Sequence, residues 1–113
     1  MANSQKAKGD SAEREAAELL TELLGTPVRR KLGAGRQDDT GDLDGVPDHI
    51  VQVANWKDTA AAARVKPKEA EDQRENAGAE FAATMVRFRG GTWRVVLTPE
   101  QWARYLQSTL DAA

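Results

Sequence analysis

The chain predicts an α/β domain: a central mixed β-sheet flanked by helices, in the order α-β-β-β-α-β-β-α. Three observations carry this. Apolar residues recur at helical spacing between Asp10 and Leu24. Three runs rich in β-branched and aromatic residues, around Ile50–Ala54, Phe81–Phe88 and Trp93–Leu97, have strand length and composition. Between the first two lies a strongly polar segment, Lys68–Ala77, set off by Pro67 and Gly78 as a helix would be.

The first helix starts at Asp10 or Ser11, either of which can act as N-cap, with Glu13 and Arg14 in its first turn. Ala12, Ala16, Leu19, Leu20, Leu23 and Leu24 form its apolar stripe. Gly25 suits the C-cap, and Pro27 prevents continuation. Residues 1–9 carry Lys6 and Lys8 without an apolar pattern and read as a flexible arm, so the expected folded unit is a single domain over 10–113. Glu13 sits at the edge of the stripe. A carboxylate there either complements the helix macrodipole or reaches a site at the helix start.

Val28–Leu32 can form a short strand, with Arg29, Arg30 and Lys31 consecutive in it. A polar loop from Gly33 to Thr40 follows and contains Arg36. These four cations suit phosphate contacts, and equally suit an edge strand blunted by charge.

Gly41 to Asp58 is the centre of the chain. Asp42 and Asp44 lie on a short acidic turn, Gly45-Val46-Pro47-Asp48 is a further turn, and Ile50-Val51-Gln52-Val53-Ala54 reads as a buried strand with a polar residue inside it. The sequence then turns polar at Asn55, Lys57 and Asp58. Two acids on a turn beside such a strand could assemble a hard-metal site, because Mg²⁺ takes few oxygen ligands from protein. A hairpin with solvated turn acids would show the same residues.

Beyond this, Thr59–Ala63 reads as loop or loose helix, and Arg64 and Lys66 bring cations towards the strand end. Pro67 fits the first position of the polar helix, which should be exposed or pack through a narrow seam. Glu80–Phe88 and Trp93–Leu97 are strands joined by a turn at Arg89–Thr92. Thr98 caps a last helix opened by Pro99, whose Trp102, Ala103, Tyr105, Leu106 and Leu110 are expected in the core.

Composition narrows the chemistry. The 113 residues include no cysteine and one histidine, His49, which excludes thiol chemistry, Cys-based zinc sites and multi-His sites. Carboxylates, amides, lysines and a metal remain. No apolar run approaches the length of a membrane span, and the N-terminus lacks the apolar core of a secretory signal, so the expectation is a cytoplasmic protein with no membrane partner. The net charge of −2 argues mildly against nucleic-acid binding, although local clusters matter more than the sum.

Several of these residues fall into a familiar order. Lys8-Gly9-Asp10-Ser11-Ala12-Glu13-Arg14-Glu15 opens the first helix, the cationic Arg29–Gly35 stretch follows, then Gly41-Asp42-Leu43, then the strand Val51-Gln52-Val53-Ala54. Together they resemble the Holliday-junction resolvases of the archaeal and phage type, within the restriction-endonuclease-like PD-(D/E)xK nuclease superfamily. The resemblance runs along nearly the whole chain, since the distal helix, hairpin and Trp93 strand also fit. It implies a restriction-endonuclease-like core and Mg- or Mn-dependent hydrolysis of DNA. The substrate would be branched DNA, a four-way junction, cut by a homodimer in the cytoplasm, that of the host cell if the chain is phage-encoded. It further implies Glu13 and Asp42 as acids of the site and the Val53 carbonyl as a further metal ligand, and in an enzyme of this kind the cations Arg29, Arg30, Lys31, Arg36 and Lys66 would be the ones on the DNA.

Two positions depart from the family pattern. Gln52 stands where the family has a glutamate and Ala54 where it has a lysine. Gln52 can offer a metal one neutral oxygen, whereas Ala54 cannot orient water or stabilise charge. In this reading Lys57 is the first choice for the missing lysine, Lys66 the second, and Asp44 can supply the missing acid. The same departures fit a protein that binds branched DNA without cutting it. An endonuclease of flaps or duplex DNA is a third reading, and an interaction protein with no nucleic-acid role, consistent with a pI of about 5.4, is a fourth.

Overall fold

The structure, a computed structural model, describes residues 3–31 and 41–112, with the side chains of the first helix from residue 9 on. The elements are α1 (Asn3–Leu24), β1 (Arg29–Arg30), β2 (Leu43–Asp44), β3 (His49–Ala54), α2 (Thr59–Ala77), β4 (Phe81–Phe88), β5 (Thr92–Val96) and α3 (Pro99–Ala112). Their order is the expected one, and the sheet is mixed. β3 pairs in parallel with β4, and β4 pairs antiparallel with β5. A parallel pair needs a crossover, and α2 supplies it.

The expected hairpin between Asp42 and the central strand takes another form. β2 pairs with β1, Arg29 opposite Asp44 and Arg30 opposite Leu43. Just before β2, Asp42 ties this ribbon to β3, its amide donating to the Val51 carbonyl at 2.8 Å.

Strand β3 is buried on both faces, and its alternation sorts the core into two layers. Val51 and Val53 pack with Ala12, Ala16 and Ala17 of α1, together with Val28, Leu43 and Met85. Ile50 and Ala54 face α2, where they meet Ala70 and Ala62, with Ala82 and Val86 of β4 alongside. Alanines on both helices let the backbones approach the sheet closely. The seam of α2 is as narrow as its polar sequence requires.

Three boundaries differ from expectation for local reasons. α1 begins at Asn3, so Asp10 and Ser11 lie inside it and do not cap it. Only Gly9 interrupts that segment, and one glycine costs a helix about 1 kcal/mol. The stripe of α1 also stops early, since Leu23 and Leu24 are exposed. α2 begins at Thr59, capped by Asp58, whose carboxylate accepts from the Ala61 amide at 3.0 Å. Pro67 therefore lies inside α2. The proline removes the bond to the Ala63 carbonyl, and its own carbonyl accepts from Gln101 Nε2 of α3 at 3.0 Å.

Two carboxylates bind the layers together. Glu15 Oε1 accepts from Trp93 Nε1 at 2.7 Å and from Arg87 Nε at 3.1 Å, which joins α1 to β4 and β5. The Arg87 bond, then the Trp93 bond, lower its pKa. Glu71 joins α2 to α3 by contacting Arg74, Arg104 and Gln101. Burial alone would raise its pKa, but the bonds from Arg74, Gln101 and Arg104 outweigh it, so the net shift is downward. A carboxylate with a lowered native pKa contributes stability above its unfolded pKa and loses it as the pH falls through the native value. Stability should therefore fall as the pH drops below about 4.5, and Glu71→Gln should flatten that acid limb in urea unfolding followed by circular dichroism. An unchanged acid limb in that variant would show that Glu71 does not carry it.

Candidate active site

Where α1, β2, the end of β3 and α2 meet, there is an open cleft of about 260 Å³, lined by Gly9, Glu13, Asp42, Val53, Asn55, Trp56 and Lys66. The chain builds it through close backbone contact. Gly41 holds φ +95°, and a Cβ there would lie 2.9 Å from the Ile50 side chain, so glycine alone lets the chain run beside β3. The next residue, Asp42, is fixed on three sides. Its amide donates to Val51, its carbonyl accepts from the Lys31 amide at 2.8 Å, and its Oδ2 accepts from the Val53 amide at 2.8 Å. Asp42 is held rigidly at the cleft, half-buried.

Glu13 enters from α1, beside Asp10. Arg30 of β1 lies against both, 3.6 Å from Glu13 Oε1 and 3.6 Å from Asp10 Oδ1, with its side chain largely buried. The three consecutive cations thus divide. Arg30 faces the acids of α1, whereas Arg29 is exposed and lines a separate hollow with Pro27, Asp44 and Gly45. Lys31, directly after β1, is half-buried. Arg36, like the rest of the expected Gly33–Thr40 loop, lies outside the described residues, as do residues 1 and 2.

The two candidate lysines separate as well. Lys66 lines the cleft with Glu13 and Asp42. Its Nζ meets Glu69 Oε1 at 3.0 Å and stands 5.8 Å from the Trp56 ring centroid. Lys57 is exposed and does not line the cleft; it lines an adjoining hollow with Arg87, Phe88 and Arg89, on the other side of Asn55 and Trp56, which line both. Asp44 lies away from the cleft, next to Arg29.

Gln52 occupies neither place. It is 3% exposed, is absent from the residues lining the cleft, and lies opposite Thr84 in the strand register. Its Oε1 and Thr84 Oγ1 have no hydrogen-bond partner among the described residues. Ala54 packs against Ala62 and Val86. Removing an unpaired buried polar atom costs little, so Gln52→Met should leave stability unchanged or raise it by up to about 1 kcal/mol. Urea unfolding checks this, and a clear loss of stability would mean that the amide makes bonds this arrangement does not contain.

Asn55 and Trp56 of the cleft are additions to the sequence reading. Their signal was the abrupt polar turn after Ala54, which marks the end of β3. Among the described residues, no three His, Cys, Asp or Glu side chains gather closely enough to hold a metal by themselves. No helix of the described residues is long and apolar enough to cross a membrane. Comparison with family models, with curated proteins and with solved structures returned no match.

Proposed function

We propose that the chain is a metal-dependent, structure-selective DNA endonuclease that resolves four-way junctions as a homodimer on a restriction-endonuclease-like core. The observation that carries this is the cleft in which Glu13, Asp42, the Val53 backbone and Lys66 lie together.

The donors there suit a small hard cation. Mg²⁺ commonly takes one or two protein carboxylates and keeps several waters. Asp42 and Glu13 supply the carboxylates, and the Val53 carbonyl and Asn55 amide supply neutral oxygens. With fewer than three acids, the site depends on substrate phosphate and water to complete the shell. Gln52, buried on the other face of β3, is left out of this set. When bound, Mg²⁺ or Mn²⁺ acidifies water and withdraws charge from phosphoryl oxygens.

The remaining work falls to this chain's own groups. Asp42 is oriented by the Val53 amide, so its geometry does not depend on substrate. Lys66 supplies the positive charge that stabilises the developing charge on phosphate, in the role the sequence reading gave first to Lys57. Trp56, with its ring beside Lys66, limits where the ammonium can go. Arg29 and Lys31 contact the phosphate backbone, and Arg30 holds Asp10 and Glu13 in place.

A second reading, a protein that binds branched DNA without cutting it, is favoured by one observation. Gln52 and Ala54 are packed under α2, so neither motif position faces the cleft. Junction cleavage with and without metal separates the readings: paired metal-dependent nicks support the nuclease, and a shifted, uncut junction supports the binder.

A further inference from the structure

The last helix is built inside out. Trp102, Leu106 and Leu110 follow one another at intervals of four and are exposed, at 57%, 39% and 67%, while Tyr105, at the edge of this stripe, is 46% exposed with one side of its ring against Phe81. Among its described residues only Gln101 is buried. Gln101 Nε2 donates to the Pro67 carbonyl at 3.0 Å and to Glu71 Oε1 at 3.3 Å. Arg104 meets Glu71 from the same polar side. Thus α3 docks on α2 through amide and ion-pair contacts and on the sheet through the Tyr105 ring, edge-on to Phe81 at 5.5 Å between centroids, while Trp102, Leu106 and Leu110 are turned outward. The sequence pattern predicts the reverse. Val95 of β5, 57% exposed, extends the outward surface and lines one groove with Leu97, Pro99 and Trp102. β5 is the outer strand of its sheet.

We propose that this face docks a second copy of the chain, with two α3 helices antiparallel across a two-fold axis at Leu106. The proposal deepens the dimer part of the proposed function and rests on it. The stripe is self-complementary under that operation: Leu106 meets Leu106, and Trp102 meets Leu110 of the other copy, because each lies four residues from the axis. Charge points the same way. The charged residues of α3, Glu100, Arg104 and Asp111, lie off the stripe, and its one arginine is paired with Glu71. Such a helix lacks the cations that a phosphate backbone or an anionic membrane requires. Size is sufficient: Val95, Trp102, Tyr105, Leu106 and Leu110 expose roughly 500 Å² per copy, so a pair buries roughly 1,000 Å², the lower bound for a specific interface.

The test is sedimentation equilibrium of the full chain across a concentration series, without DNA. The expected species is a dimer of the 12.3 kDa chain. Leu106→Glu should raise its dissociation constant roughly 30-fold or more, as loss of a central anchor does, with the circular dichroism spectrum retained. Because the chain has no cysteine, Leu106→Cys gives a second readout that survives if the glutamate variant misfolds. Under oxidation it should form a disulfide-linked dimer in high yield, and Gly90→Cys should not. A monomer throughout the series overturns the proposal, as does a monomer that partitions onto phosphatidylserine vesicles through this face. A dimer unaffected at position 106 and not cross-linked there overturns it too. A dimer that cross-links at 106 but neither binds nor cuts a junction supports the interface and removes the nuclease reading.

Discussion

Asp42→Asn should abolish metal-dependent cleavage of a four-way junction, by at least about 10³-fold in rate, while junction affinity stays close to that of the parent protein. The substitution keeps the shape of the side chain and an oxygen able to accept from the Val53 amide. It removes the charge that would hold a metal, and only Glu13 remains as a carboxylate among the residues lining the cleft. A neutral amide beside one carboxylate is a weak magnesium site. Affinity for DNA depends mainly on cations against phosphates, and loss of an acid does not weaken that. Single-turnover cleavage and gel-shift measurements on the same preparation separate the effects. Undiminished metal-dependent cleavage in the variant would remove Asp42 from the role.

Lys66→Ala should lower the cleavage rate about 10²- to 10³-fold, the usual cost of removing one group that stabilises transition-state charge. Lys57→Ala should leave the rate near that of the parent. The difference follows from placement: Lys66 rises from α2 into the cleft beside Asp42 and Glu13, whereas Lys57 faces the hollow beside Arg87 and Arg89. The Lys66 effect should persist at saturating DNA, which distinguishes transition-state stabilisation from a binding contact. If Lys57→Ala is the slow variant and Lys66→Ala is not, the assignment of the two lysines is reversed.

The element order was legible in the sequence because each element carried its own signal. β3 and β4 had apolar, β-branched runs, α1 had a helical stripe, and Thr98 with Pro99 announced α3, where Gln101 completes a reciprocal cap with Thr98. What misled was local information with a tertiary answer. Pro67 suggests a helix start, but α2 passes through it because its first turn is capped at Asp58 and its small residues seat against Ala54 and Val86. Trp102, Leu106 and Leu110 have the periodicity of a core stripe, yet the contacts that dock α3 come from Gln101, Arg104 and the Tyr105 ring against Phe81. Periodicity identifies an apolar face without stating whether this chain or another covers it.

The candidate site was legible in part for a similar reason. Gly41-Asp42 and Glu13 stood out as types and spacings, and the structure brings both to one cleft. The choice between Lys57 and Lys66 was not open to sequence, because proximity along the chain favours Lys57 and only the course of α2 brings Lys66 back to the end of β3. The same holds for the cations. Arg29 and Arg30 are adjacent in sequence and lie on opposite faces of a two-residue strand, one in solvent and one against the acids of α1.

The most direct test of the central claim is incubation of the unmodified protein with an end-labelled four-way junction and a matched linear duplex, in Mg²⁺ and in EDTA. Paired, symmetric nicks in the junction alone, and only with metal, are expected. A junction that remains uncut in Mg²⁺ and in Mn²⁺, whether or not the protein shifts it, would contradict the assignment of a catalytic centre to Glu13, Asp42 and Lys66.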